Sequence, residues 1–229
     1  MTSSSETAPT NDAAHLPPVP STSLPTTAPT TSHPRVALIT GAAQGIGKAI
    51  AFRLARDGLH VALNDLPDKR DALEEVARTI EEDGGRAAIL FGDVSKEEDV
   101  QAMVDGTVEK LGSLHVMVAN AGIGGPGPFL EESLESFNRH MAVDAAGVFL
   151  CYQIAARKMI ELGHREGRLI GAASMASKQA LALGKHGITA NAYAPGLIDT
   201  AILADHDALE RITGLGDKAS SLTLSMVTA

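Results

Sequence analysis

The stretch Thr40-Gly41-Ala42-Ala43-Gln44-Gly45-Ile46-Gly47 places three glycines where an apolar run gives way to a helical pattern. Strand, glycine-rich turn and helix, in that order, form a cradle for a dinucleotide. Gly41 permits a tight turn, Gly45 lets the backbone approach a pyrophosphate, and Gly47 lets helix and strand pack closely. Gln44 and Ile46 complete the expected contacts, since the phosphates would sit on the unpaired N–H groups at the positive end of the helix. Asp65 follows eighteen residues after Gly47. A carboxylate there accepts both ribose hydroxyls of NAD and repels a 2′-phosphate. Neither Gln44 nor Leu66 is basic, so NAD is expected ahead of NADP. The competing reading of Asp65 is a turn residue ahead of Pro67. Asp93-Val94 suits an adenine contact, with a helix-terminal role for Asp93 or a Ser95 cap as the alternative. Asn120-Ala121-Gly122 supplies small residues where a backbone must pass close to a ligand.

These residues share one placement: each follows a strand-like run. Strands are expected over 35–40, 59–64, 87–91, 114–120, 168–173 and 188–194, and amphipathic helices over 46–57, 68–82, 96–111 and 134–162. Near-continuous apolar strands alternating with helices imply a parallel sheet covered on both faces. Right-handed crossovers make that a doubly wound, three-layer α/β/α sheet of the Rossmann type, with ligands beyond the carboxyl ends of its strands.

The 229 residues suffice for one α/β domain with a sizeable core. A formal charge of −9 argues against nucleic acid or an anionic membrane surface as partner. No apolar run approaches the roughly 18 residues needed to span a bilayer. The single cysteine, Cys151, excludes an internal disulfide and fits a reducing, cytoplasmic setting. Residues 1–34 differ from the rest, holding seven of the eleven prolines and no Lys or Arg. That segment is expected to be a disordered tail, and its lack of Arg argues against a transit peptide. Residues 35–213 form the expected nucleotide-binding domain, and 214–229 a C-terminal tail or short strand.

Taken together, the glycine turn, Asp65, Asp93-Val94 and Asn120-Ala121-Gly122 resemble, in order and spacing, the short-chain dehydrogenase/reductase family. Asn191-Ala192-Tyr193-Ala194-Pro195-Gly196 with Thr200 resembles the family's sixth strand and Pro-Gly-x-x-x-Thr loop, which implies Pro195, Gly196, Ile198 and Thr200 as cofactor contacts near the nicotinamide amide. Segments 36–65 and 184–200 are most similar to acetoin/diacetyl reductases and butanediol dehydrogenases. The resemblance implies a small ketone or secondary-alcohol substrate and a homo-oligomer.

The family's chemistry uses Asn, Ser, Tyr and Lys. The Tyr exchanges a proton with the substrate oxygen, and the Lys lowers the Tyr pKa from about 10. Ser174, after 168–173, matches the catalytic serine, with a cap or turn role as the alternative. Asp144 stands at the Asn position. The Tyr-x-x-x-Lys pair is absent: Tyr152 is followed four residues on by Ala156, and Tyr193 by Leu197. Tyr152 reads as a packing or interface residue and Tyr193 as a structural one. Two registers fit the short stretch after Ser174. Either Lys178 is an ordinary loop lysine and about twenty-five family residues are missing, or Ser174 and Lys178 occupy the Tyr and Lys places. The first register leaves the crossover between the fifth and sixth strands, and the subunit interface beside 134–162, incomplete. The expectation is an impaired NAD-dependent oxidoreductase. The alternative is a non-catalytic NAD-binding protein, or a shortened isoform or misassembled gene.

Overall fold

Runs rich in Val, Leu, Ile and Ala build six strands: β1 (Val36–Thr40), β2 (His60–Asp65), β3 (Ala87–Phe91), β4 (Val116–Ala119), β5 (Arg168–Ala172) and β6 (Thr189–Tyr193). This computed structural model describes residues 34–124, 132–172 and 186–193. The strands pair in parallel in the order β3-β2-β1-β4-β5-β6, giving the doubly wound α/β sheet expected. Alternate residues of one strand face opposite layers. Val36 and Leu38 of β1 join one apolar cluster while Ala37 and Ile39 join the other. Met117 and Val118 of β4 divide in the same way. Two helical layers must therefore cover the sheet.

One layer holds α1 (Gly45–Arg56) and α2 (Arg70–Glu82), which buries Leu73, Val76, Ala77 and Ile80 at helical spacing. The other holds α3 (Glu97–Leu111) and α5 (Val148–Glu161), with Val100, Met103, Val104, Tyr152, Ala155 and Met159 buried between them and the sheet. Acidic Glu97, Glu98 and Asp99 in the first turn of α3 and Lys110 in its last complement the helix dipole. The connection after β1 leads to β2 on one side, while the connection after β3 leads to β4 on the other. That reversal opens a crevice beyond the carboxyl ends of β1 and β4, the switch point where such sheets bind ligands.

Two expected helices are reshaped. The pattern over 68–82 begins as a 3-10 turn, Pro67–Lys69, before α2 starts. The single helix expected over 134–162 divides into α4 (Leu134–His140), a π-helical turn (Met141–Gly147) and α5. Close packing accompanies the widening. A Cβ on Gly147 would lie 2.9 Å from Val94 Cγ2 and 3.2 Å from the Val94 carbonyl oxygen, so the helix rests directly on the loop after β3. Residues 173–185, most of the β5–β6 connection, fall outside the described residues, as do 1–33, 125–131 and 194–229. Among the described residues no helix is long and apolar enough to cross a membrane.

Candidate functional site

The floor of the crevice is knotted around Thr40, the last residue of β1, whose side chain is buried. Its hydroxyl accepts the N–H groups of Asn120 and Ala121, each at 3.0 Å, and donates to the Val118 carbonyl at 3.4 Å. The Asn120 amide in turn donates to the Thr40 carbonyl at 3.0 Å and the Gly41 carbonyl at 3.4 Å. The ends of β1 and β4 are thus one hydrogen-bonded unit. Gly41 has φ +66°, and a Cβ on it would lie 3.0 Å from Ala121 Cα. A Cβ on Gly47 would lie 2.1 Å from the Gly41 carbonyl oxygen and 2.6 Å from Asn120 Nδ2. The third glycine is required by the turn folding onto itself and onto Asn120, a tighter constraint than the helix–strand packing expected of it.

Gln44 and Gly45 are exposed at the start of α1, and Ile46 is half-buried. The first N–H groups of that helix have no partner within it. No acidic side chain occupies its first turn, so an anion meets only the positive end of the dipole there. Asp65, at the end of β2, accepts the Ala43 N–H at 3.0 Å through Oδ2 and its neighbour Leu66 N–H at 2.9 Å through Oδ1. The carboxylate is thereby fixed against the glycine turn, and each oxygen keeps a lone pair for another donor. Beneath it, buried Asn64 donates to the carbonyls of Leu90 (3.3 Å) and Gly92 (3.1 Å), tying β2 to the end of β3.

Asp93 is partly committed. Its Oδ1 accepts both the N–H (2.9 Å) and the hydroxyl (2.7 Å) of Ser95. Burial pushes the Asp93 pKa up, but the two Ser95 bonds and the nearby Lys96 and Arg139 charges outweigh it and hold the carboxyl below its usual range. Ser95 is not the cap of α3; that position belongs to Lys96, whose side chain makes no capping bond. Gly41, Gln44, Gly45, Ile46, Asp65, Asp93, Val94, Asn120, Ala121 and Gly122 converge on one cavity of about 330 Å³. Gly47 lies behind its lining, against Gly41 and Asn120. Asn64, Ile123, Arg139, Ala142 and Val143 also line the cavity. Of these, only Asn64 carried a signal in the sequence: an amide inside an apolar strand, one residue before Asp65.

Asp144 sits in the π-helical turn, with Oδ1 accepting the Ile123 N–H at 3.0 Å. Burial raises its pKa against the opposing pull of that bond and of His140. It therefore borders the cavity from behind Gly122 and Ile123. Neither tyrosine offers a free phenol. The Tyr152 hydroxyl donates to the Asn191 carbonyl at 2.8 Å, and burial raises its pKa to about 12. The Tyr193 hydroxyl reaches past the end of β5 to donate to Asn120 Oδ1 at 2.8 Å, and burial raises its pKa also. Ser174, Lys178, Pro195, Gly196, Ile198 and Thr200 lie outside the described residues.

Comparison with known proteins agrees with this geometry. The short chain dehydrogenase family model matches residues 35–185. A short-chain dehydrogenase/reductase from Armillaria gallica is 42% identical over 205 residues, covering 80% of this chain and 77% of that protein. An L-2,3-butanediol dehydrogenase from Corynebacterium glutamicum is 36% identical, covering 79% and 78%. The crystal structure of an acetoin dehydrogenase from Salmonella typhimurium superposes with a TM-score of 0.65 at 32% identity, covering 74% and 75%.

Proposed function

The chain belongs to the short chain dehydrogenase family, and on that premise we propose that it binds NAD in the β1–β4 crevice. As an oxidoreductase of that family it works with a nicotinamide cofactor on small molecules. The carrying observation is the joint placement of the α1 N-terminus and the Asp65 carboxylate, which Ala43 ties together in a single cavity. The N–H groups of Gly45 and Ile46 would hold the pyrophosphate. Asp65 would accept the adenosine ribose hydroxyls through its remaining lone pairs, and its charge would oppose a 2′-phosphate. Asp93 would accept an adenine amino proton, with Val94 beside the base. Asn120, Ala121 and Gly122 would pass under the nicotinamide ribose, and Pro195, Gly196, Ile198 and Thr200 would be contacts near the nicotinamide amide, as the family resemblance implies. Bound there, the dinucleotide supplies the hydride for a small ketone or takes it from a secondary alcohol. Acetoin and butanediol are the first substrates to try, given the relatives named above.

Proton transfer is the impaired half of the proposal. Ser174 would orient the substrate oxygen, but no Tyr-x-x-x-Lys pair exists to exchange its proton, and both tyrosine hydroxyls are engaged elsewhere. Loss of a positioned general acid lowers turnover by about 10²–10⁴-fold. That same observation favours the second reading, a non-catalytic NAD-binding protein. Titrating purified protein with NADH separates the outcomes. Fluorescence enhancement that Gly45→Val abolishes supports the cofactor site; tighter binding of NADPH than NADH overturns the NAD preference. Reduction of acetoin or diacetyl at rates ordinary for the family overturns the impairment. We further propose that the shortened β5–β6 crossover weakens the subunit interface beside α4 and α5. A monomer in sedimentation is expected, and a stable oligomer of ordinary size overturns this.

A further inference from the structure

Both ends of the Asn120 amide are engaged. Nδ2 donates to the Thr40 and Gly41 carbonyls. A Cβ on Gly47 would lie 2.6 Å from the same nitrogen, so the amide is wedged between the end of β1 and the first turn of α1. Two carbonyls accept there, which fixes the nitrogen end of the amide toward them and turns Oδ1 away. Asn120 is half-buried, and an acceptor in such a place needs a donor of its own. The Tyr193 hydroxyl is that donor, at 2.8 Å.

The donor comes from a distance. β5 lies between β4 and β6, and Tyr193 pairs with Ala172 of β5. Two strand spacings of about 4.8 Å therefore separate the chains that the bond joins. Phenylalanine would span that gap with nothing to donate, while serine or threonine would donate and fall short. The Thr40 hydroxyl already holds the main chain of Asn120 and Ala121. Tyr193 holds the Asn120 side chain, and through it β6 reaches the glycine turn.

We propose that Tyr193 is a positioning residue for the pyrophosphate end of the cleft: by donating to Asn120 Oδ1 it keeps the amide clamped on the Thr40 and Gly41 carbonyls, and so sets the glycine turn against the start of α1. The proposal rests on the cofactor reading above. Without the hydroxyl, Oδ1 finds a partner only by swinging the amide out to water. That movement releases both carbonyls and takes the support from beside Gly47. The adenine end is held by other bonds, Asn64 on the Leu90 and Gly92 carbonyls and Asp93 on Ser95. The effect therefore belongs to the phosphates, and it is the same whether or not a nicotinamide is attached.

The test is Tyr193→Phe in the full chain, a change of one oxygen atom. Ligand-observed NMR gives affinities for ADP and NADH, and nitrogen-15 NMR follows proton exchange at the Asn120 side-chain amide with no ligand present. ADP and NADH are each expected to bind about fivefold more weakly, the factor that one neutral hydrogen bond corresponds to. The Asn120 amide protons exchange faster in the variant than in the wild type. Tyr152→Phe is the control, since it deletes the other engaged phenol, which donates to the Asn191 carbonyl. It leaves ADP affinity and the Asn120 amide as in the wild type, which a general loss of packing would not do. Unchanged ADP affinity in Tyr193→Phe, a loss for NADH alone, an unmoved Asn120 amide, or an equal loss in Tyr152→Phe overturns the proposal. If neither ADP nor NADH binds the wild type, the cofactor reading falls separately. The Asn120 amide still decides what Tyr193 does: faster exchange in Tyr193→Phe alone supports the clamp, and unchanged exchange overturns it.

Discussion

The two walls of the crevice hold their functional groups in different ways. On the β1–β3 side, the groups proposed to recognise a dinucleotide are backbone N–H groups, or side chains pinned by backbone. Ala43 and Leu66 grip Asp65, Ser95 grips Asp93, and Thr40 grips the end of β4. On the β4–β6 side the contacts are Asp144 on the Ile123 N–H, Tyr193 on Asn120 Oδ1 and Tyr152 on the Asn191 carbonyl, and two of the three involve β6. The first wall is made by one stretch of chain whose strands pair with their neighbours in space. The second wall draws two of its three contacts from β6, which follows the β5–β6 connection.

The strongest way to break this comparison is to damage the cradle itself. In Gly47→Ala the new methyl would meet the Gly41 carbonyl oxygen at 2.1 Å and Asn120 Nδ2 at 2.6 Å. Neither neighbour can yield without releasing β4, so about 3 kcal/mol of stability is expected to go, together with NADH binding. Chemical denaturation and fluorescence titration on the same sample check both. A variant that folds as wild type and still binds NADH shows that the first wall is not rigid. Next in size is Thr40→Val, which keeps the shape of the side chain but deprives the N–H groups of Asn120 and Ala121 of their acceptor. An expected loss of about 2 kcal/mol follows from those two donors, with the Thr40→Ser variant retaining most of it.

Asp65→Asn sharpens the comparison at smaller cost. An amide can still accept from Ala43 or Leu66 but carries no charge, so the fold survives while ribose recognition weakens. NADH affinity is expected to drop about tenfold, or about 1.4 kcal/mol, and discrimination against NADPH to shrink with it. Unchanged affinity for both dinucleotides would return Asp65 to its competing reading as a turn residue.

The first wall was legible in the sequence because its determinants are local. Three glycines, an Asp eighteen residues on and an Asn-Ala-Gly each announce a strand end by themselves. What the sequence could not show depends on which strands are neighbours. The sequence marks Thr40 only as the residue before Gly41, since its role requires knowing that β4 lies beside β1. Tyr193 reaches Asn120 across 73 residues of sequence. The π turn at Met141–Gly147 was invisible because one widened turn barely disturbs a helical apolar pattern. His140 carries no signal in the sequence for the same reason: its spacing along the helix is ordinary, and only its contacts with Ser136 and Glu132 make it unusual.

The smallest expected effect uses the amino ends of the same strands as a contrast. There His115 accepts the Val36 N–H at 3.0 Å through Nδ1, and its ring lies 4.2 Å from that of His164. Burial, then the neighbouring His164 and Arg35, lower the His115 pKa to about 4; burial, then Arg35, lower that of His164. Unfolded, these rings titrate near 6.5. Between about pH 6.5 and about 4 the unfolded chain therefore holds the extra protons, and stability falls as pH falls. The His115 ring is half-buried, so solvent screening reduces its share to about 1 kcal/mol, a few degrees in melting temperature. His115→Gln should remove most of that acid slope. His140, at the carboxyl end, runs in the opposite sense, since its raised pKa makes its contribution fade as pH rises. Melting curves across pH should then show two independent limbs: His115→Gln flattens the acid limb alone, and His140→Asn the alkaline limb alone. A single variant that moved both limbs would mean that the two ends of β1 and β4 are coupled through the sheet, and the cradle would no longer be independent of what surrounds it.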